Sequence, residues 1–121
     1  MRLAALAALA ASVALVVVPA QAAVGPARVQ VTAKEFWFAL SRQTVVEGPA
    51  IVQLVNFGED EHDLRLKRVG GAKVSRTPVV QPGDYFDLSV KLLPGRYQLW
   101  CSIANHAKLG MRSQLVVRKR Q

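Results

Sequence analysis

The most regular feature of the chain is a two-residue alternation of apolar and polar positions. Phe36, Phe38 and Leu40 fall on one face of an extended segment. Ile51, Gln53, Val55 and Phe57 alternate with Val52 and Leu54 in a mostly apolar run. Phe86, Leu88, Val90 and Leu92 alternate with Tyr85, Asp87, Ser89 and Lys91, the period of a half-buried strand. Turn signals separate these runs: Glu47-Gly48-Pro49, Gly70-Gly71, Pro82-Gly83 and Pro94-Gly95. No stretch repeats, none is of low complexity, and none carries the period of an amphipathic helix. Short strands with regular punctuation predict one all-β domain, an antiparallel β-sandwich. The segment from Arg68 to Gln81 is the least regular and is expected to be a long surface connection.

The start of the chain follows a different rule. Arg2 precedes an apolar run from Leu3 to Val18, broken only by Ser12, and Ala20-Gln21-Ala22 follows. That order of charge, apolar run and small-x-small triplet is the pattern of a secretory signal peptide. The other reading is an uncleaved anchor, for which the run falls somewhat short of the about 20 residues a span needs. Residues 1–22 are therefore expected to be a leader and 23–121 the domain, in the periplasm or secreted.

With 51% hydrophobic and 20% charged residues in 121 positions, the chain is neither disordered nor fibrous. Sixteen Lys and Arg face eight Asp and Glu, and without Arg2 the balance is fifteen to eight, about +7. Charge of that sign can attract nucleic acid, membranes or acidic proteins. Export argues against nucleic acid, and so does the scatter of the cations without interleaved aromatic residues. The basic balance is then a solvated surface that can steer an acidic partner.

The candidate chemistry lies in four residues. After the leader the chain holds one Cys, two His and one Met, and Cys101, His106 and Met111 share an eleven-residue window. A lone Cys in an exported protein has no internal disulfide partner. Strand parity places Tyr97, Leu99 and Cys101 on one face, and His62, Leu64 and Leu66 on another. If the leucines are core, Cys101 and His62 point inward. Met111 shares parity with Leu115 and Val117. Singly, each residue has an ordinary structural role: a buried Cys, a core His, a loop His, a packing Met. Together they are the two-His, one-Cys, weak-axial-Met set of a mononuclear blue-copper site, with His62, Cys101, His106 and Met111 as metal ligands. Soft sulfur favours Cu(I) and imidazole serves both oxidation states. Structural zinc sites rarely use Met. A Cys–His thiol enzyme would leave Met111 and the inward parity of His62 without a role.

The segment from Gly95 to Met111, with Gly-x-Tyr at 95–97, an aromatic at Trp100, then Cys101, His106 and Gly110-Met111, resembles the copper loop of the cupredoxins. Leu54-Val55-Asn56-Phe57-Gly58 running to His62-Asp63-Leu64 resembles their first-histidine segment, and Pro82-Gly83-Asp84 their middle region. The four-residue gaps on either side of His106 are similar to the longer loops within that family. The resemblance covers nearly all of the mature chain. It implies a Greek-key sandwich with one type 1 copper ion that carries single electrons and performs no catalysis. It also implies a redox partner protein such as a cytochrome, oxidase or reductase, a monomeric state, and at most transient membrane contact. Asn56 matches a position that braces the Cys loop, its other reading being a turn residue at a strand end. The other reading of the same ligand set is a periplasmic copper carrier or copper-resistance protein. Asp63 and Asn105 depart from the Asn and Gly common at those positions, and Glu59, Asp60, Glu61 and Asp63 put four of the eight acidic residues near His62. Any of these near the ion would favour Cu(II). Electrons are expected to pass through the edge of His106, across Ile103, Ala104, Ala107, Leu109 and Gly110, with Lys108 available for steering.

Overall fold

The alternating segments form strands that close on one another in two layers. The computed structural model describes residues 11–20 and 25–121. Residues 11–20 are exposed and adopt neither helix nor strand, and the other leader residues, with most of the expected cleavage triplet, lie outside the described residues. The strands are β1 (Ala27–Lys34), β2 (Trp37–Leu40), β3 (Thr44–Val46), β4 (Gly48–Asn56), β5 (Arg65–Arg68), β6 (Val74–Arg76), β7 (Tyr85–Leu92), β8 (Gly95–Trp100) and β9 (Arg112–Arg118).

One sheet has the order β2-β1-β4-β7 and the other β3-β9-β8-β5-β6. The chain crosses between sheets after β2, β3, β4, β6 and β7, as a Greek-key sandwich requires. The sheets are mixed, because β1 pairs with β4 and β3 with β9 in parallel. All other pairs within the two sheets are antiparallel.

β4 lies at the centre of its sheet. Its buried face is Ala50, Val52, Leu54 and Asn56, while Ile51, Gln53 and Val55 are half-buried on the other. Opposite it, Leu64, Leu66, Leu99, Leu115 and Val117 fill the core from the second sheet. The inward parity expected for His62, Leu64 and Leu66, for Tyr97, Leu99 and Cys101, and for Met111, Leu115 and Val117 holds, since every one of these is buried.

Three elements differ from the sequence reading. β1 buries Val29, Val31 and Ala33 between polar positions, and is an addition to the expected strands. β7 alternates as expected, but Phe86, Leu88 and Val90 stay partly exposed because β7 is an edge strand. The stretch 68–81 is more than a surface connection. It contains β6, and its Thr77 and Val80 are buried. Thr77 Oγ1 accepts from the Leu64 amide at 3.0 Å, so a polar residue settles backbone that the edge would otherwise leave unpaired.

Leu54 is fully buried and pairs with Val31 on one side and Phe86 on the other. Leu54→Ala is expected to lower stability by about 2–5 kcal/mol. Urea unfolding should show this as a lower midpoint with an unchanged slope.

Candidate metal centre

Two loops and one strand end bring the candidate ligands together at one pole of the sandwich. His62 lies between β4 and β5, and its backbone bridges Val80 in both directions, at 3.1 and 2.7 Å. Cys101 follows β8 directly. Its amide donates to the Met111 carbonyl at 3.2 Å, and the Met111 amide donates to the His106 carbonyl at 3.1 Å. The loop from Cys101 to Met111 therefore closes on itself just before β9. Gly110 makes that closure possible. Its φ is +125°, and a Cβ there would meet the Phe36 carbonyl oxygen at 2.8 Å.

Both imidazoles turn Nδ1 toward the thiol. Cys101 Sγ lies 3.7 Å from His106 Nδ1 and 4.0 Å from His62 Nδ1. The three donor atoms all lie within 4.8 Å of one another, and all three residues are buried. With metal–thiolate bonds near 2.3 Å and metal–imidazole bonds near 2.0–2.1 Å, two donors on one ion stand about 3.5–4 Å apart. The observed separations match that spacing, so His62, Cys101 and His106 are positioned to bind one ion. Met111 is fully buried, and its backbone is bonded to both Cys101 and His106. The expected four residues thus converge, three by their donor atoms and Met111 by its place in the loop.

Cys101 is a free thiol with 1% exposure. Burial pushes its ionisation above the ordinary thiol range, because a thiolate loses its hydration there. Amides of the surrounding loop oppose this only in part. A buried thiol facing two imidazoles is a poor nucleophile by itself and becomes a thiolate when a cation replaces its proton.

Several residues at the site carry roles that the sequence did not announce. Asp63 alternates with the inward-facing His62 and Leu64, so strand parity puts it on the outer face, yet it is 3% exposed. Its Oδ1 accepts from the Ser102 amide at 2.6 Å, and its Oδ2 accepts from the Ser102 hydroxyl. Arg65 Nε stands 3.5 Å from the same carboxylate, within reach of an ion pair though not of a hydrogen bond. Asp63 thus ties the first-histidine segment to the Cys loop, the bracing that the resemblance assigns to Asn56. Asn56 instead holds the segment before His62. Its amide donates to the carbonyls of Asp60 and Val80, at 2.8 and 2.9 Å, and its oxygen accepts from the Gly58 amide at 2.8 Å.

The β1–β2 turn also reaches the site. Glu35 Oε1 lies 3.0 Å from His62 Nε2, and the Phe36 ring packs against His106 with centroids 4.8 Å apart. The only sequence signals for this were Gly58 and Gly110, whose missing side chains leave room for Glu35 and Phe36. Of the acidic residues expected near His62, Asp60 approaches His106 instead, with Oδ2 3.9 Å from Nε2.

No family model and no curated protein matches the chain. Solved structures do. A dithionite-reduced auracyanin from Roseiflexus castenholzii superposes with a TM-score of 0.62 at 14% identity, covering 78% of this chain and 99% of that one. A purple cupredoxin from Nitrosopumilus maritimus gives 0.53 at 19% identity, covering 76% and 99%. A blue copper oxidase from Nitrosomonas europaea gives 0.59 at 18% identity, with 80% of this chain covering 40% of that larger one. The architecture is a β-sandwich with its candidate donors at one pole. Its fold is the cupredoxin fold.

Asn56→Asp keeps the acceptor for Gly58 but turns an anion toward two buried carbonyls. This substitution should cost at least about 1–3 kcal/mol at neutral pH, the penalty for leaving buried polar groups unpaired. Chemical denaturation beside the wild type measures it.

Proposed function

We propose that this protein is an exported one-electron carrier, periplasmic or secreted, that binds a single copper ion through His62, Cys101, His106 and Met111 and has no catalytic activity. The observation that carries the reading is the buried Cys101 thiol, flanked by Nδ1 of both histidines at distances suited to a shared ion. Copper held by this donor set supplies a Cu(I)/Cu(II) couple. The chain's own residues do the rest. Cys101 gives up its proton and provides the soft donor. His62 and His106 present neutral nitrogens. Met111 closes the buried side. The Asp63 contact with Ser102 and the Met111 contact with Cys101 hold the loops still, so the donors need not move when an electron arrives. The solved structures that share the fold include proteins named as a cupredoxin and a blue copper oxidase, which supports copper as the ion.

His106 is 7% exposed and is the ligand that reaches the surface, as Cys101 is 1% exposed and His62 and Met111 are closed off. Around it lie Ala104, Leu109 and Gly110, all exposed, with Ile103 and Ala107 half-buried. A small apolar rim of this kind permits close approach of a redox partner protein and quick release. Weak redox encounters bury under about 1,200 Å².

The protein expressed from Ala23 onward and given Cu(II) should become intensely coloured, with narrow copper hyperfine splitting in electron paramagnetic resonance. Cys101→Ser should abolish the colour. Met111→Leu should retain the ion and raise the reduction potential. Faint colour with ordinary copper parameters would contradict the assignment of Cys101. Loss of the ion to a modest chelator, without reversible one-electron cycling, would favour copper transport over electron transfer.

A further inference from the structure

Glu35 lies in the β1–β2 turn, just after β1 ends at Lys34, and faces His62 from the side away from the thiol. His62 is completely buried, so its Nε2 has no access to water. The group it meets is Glu35 Oε1, at 3.0 Å. The same oxygen accepts from the amides of Glu59, at 2.8 Å, and Asp60, at 2.7 Å. Three donors converge on it. A carboxyl whose side chain is 27% exposed and whose Oε1 accepts from two backbone amides is an ionised acceptor at neutral pH, and toward His62 it can only accept. In the neutral imidazole Nε2 of His62 then carries the ring proton, which leaves Nδ1 bare and turned toward Cys101. The fold has made room for this contact, because a Cβ on Gly58 would collide with the Glu35 carboxylate.

We propose that Glu35 is a positioning residue of the metal site: its carboxylate fixes His62 in the Nε2–H tautomer, ready to bind through Nδ1, and places a negative charge one imidazole ring from the ion. The inference rests on the copper reading above for its second half only. An acceptor on the outer nitrogen of a ligating histidine sets its tautomer and raises its basicity. A nearby anion favours the more highly charged oxidation state, so Glu35 lowers the reduction potential. A role limited to bracing the turn at Glu59 and Asp60 would need only the oxygen, without its charge. Glu35→Gln separates the two, since its amide oxygen can still accept from both backbone amides and from His62.

The experiment has a metal-free arm and a copper-loaded arm. In metal-free protein, ¹⁵N–¹H correlation of the imidazole nitrogens should show wild-type His62 as the Nε2–H tautomer. Glu35→Ala should lose that preference. Gly58→Ala, which keeps Glu35 but pushes its carboxylate away, should lose it too and serves if Glu35→Ala does not fold. In protein loaded with Cu(II), Glu35→Gln and Gly58→Ala should shift the preference between oxidation states about tenfold toward Cu(I), a rise of about 59 mV for one electron. An unchanged His62 tautomer in the folded Glu35→Ala or Gly58→Ala protein would overturn the positioning role. An unchanged potential in both Glu35→Gln and Gly58→Ala would overturn the charge role. Failure of the wild type to form an intensely coloured copper species would count against the copper reading, while the metal-free arm would still decide whether Glu35 positions His62.

Discussion

A thiol buried with two imidazoles, and with no second cysteine to join, is the constraint on which this end of the molecule depends. Cys101 has lost its water, so its ionised form is costly unless a cation compensates it. Neither histidine offers such compensation while neutral. Both instead present a nitrogen at the distance expected of a neighbour on the same ion. The cluster makes chemical sense as a set of donors around a shared metal, and poor sense as core packing. The rest of the pole is then understood as a device for keeping those donors close together in the absence of any covalent link between them.

That device is built from hydrogen bonds between segments far apart in sequence. Asp63 and Ser102 join the first-histidine segment to the Cys loop. An Asp suits this place because Ser102 brings two donors and an ionised carboxylate only accepts. Asn56 does the complementary work, giving two protons to carbonyls and taking one from an amide. Phe36 packs on His106, and its carbonyl lies where any side chain at position 110 would collide with it. Both sheets feed the pole, through the ends of β1 and β4 on one side and β8 and β9 on the other. A donor displaced in this arrangement would have to disturb strands on both sides of the core. Such a pocket resists rearrangement between two oxidation states, the property that the proposed electron carrier needs.

Two of the candidate ligands, Cys101 and His62, were legible in the sequence because strand parity is a local rule. Leu99 and Cys101 share a face, as do His62 and Leu64, and the core position of each leucine fixes its neighbour. The residues around the ligands were not legible, and the reason is distance along the chain. Glu35 meets His62 across 27 residues, and Asp63 meets Ser102 across 39. Such contacts follow from sheet order and register, which alternation does not specify. Parity even misled at Asp63, which sits on the outer side of its segment yet is covered by the Cys loop. The strand β1 had its signal in Val29, Val31 and Ala33, but two of its sheet neighbours, β2 and β4, gave the stronger apolar runs. In the 68–81 segment the buried Thr77 and Val80 are separated by Pro78 and the exposed Val79, so no two-residue period marks them.

The central claim is that the fold holds two imidazoles and one thiolate in place for an ion that changes charge without changing its surroundings. Copper K-edge X-ray absorption, recorded on the loaded protein before and after one-electron reduction, tests it most directly. The account predicts one short copper–sulfur shell and two nitrogen neighbours in both states, with only small changes in distance. A sulfur shell absent from the oxidised protein, or a coordination number that changes on reduction, would contradict it.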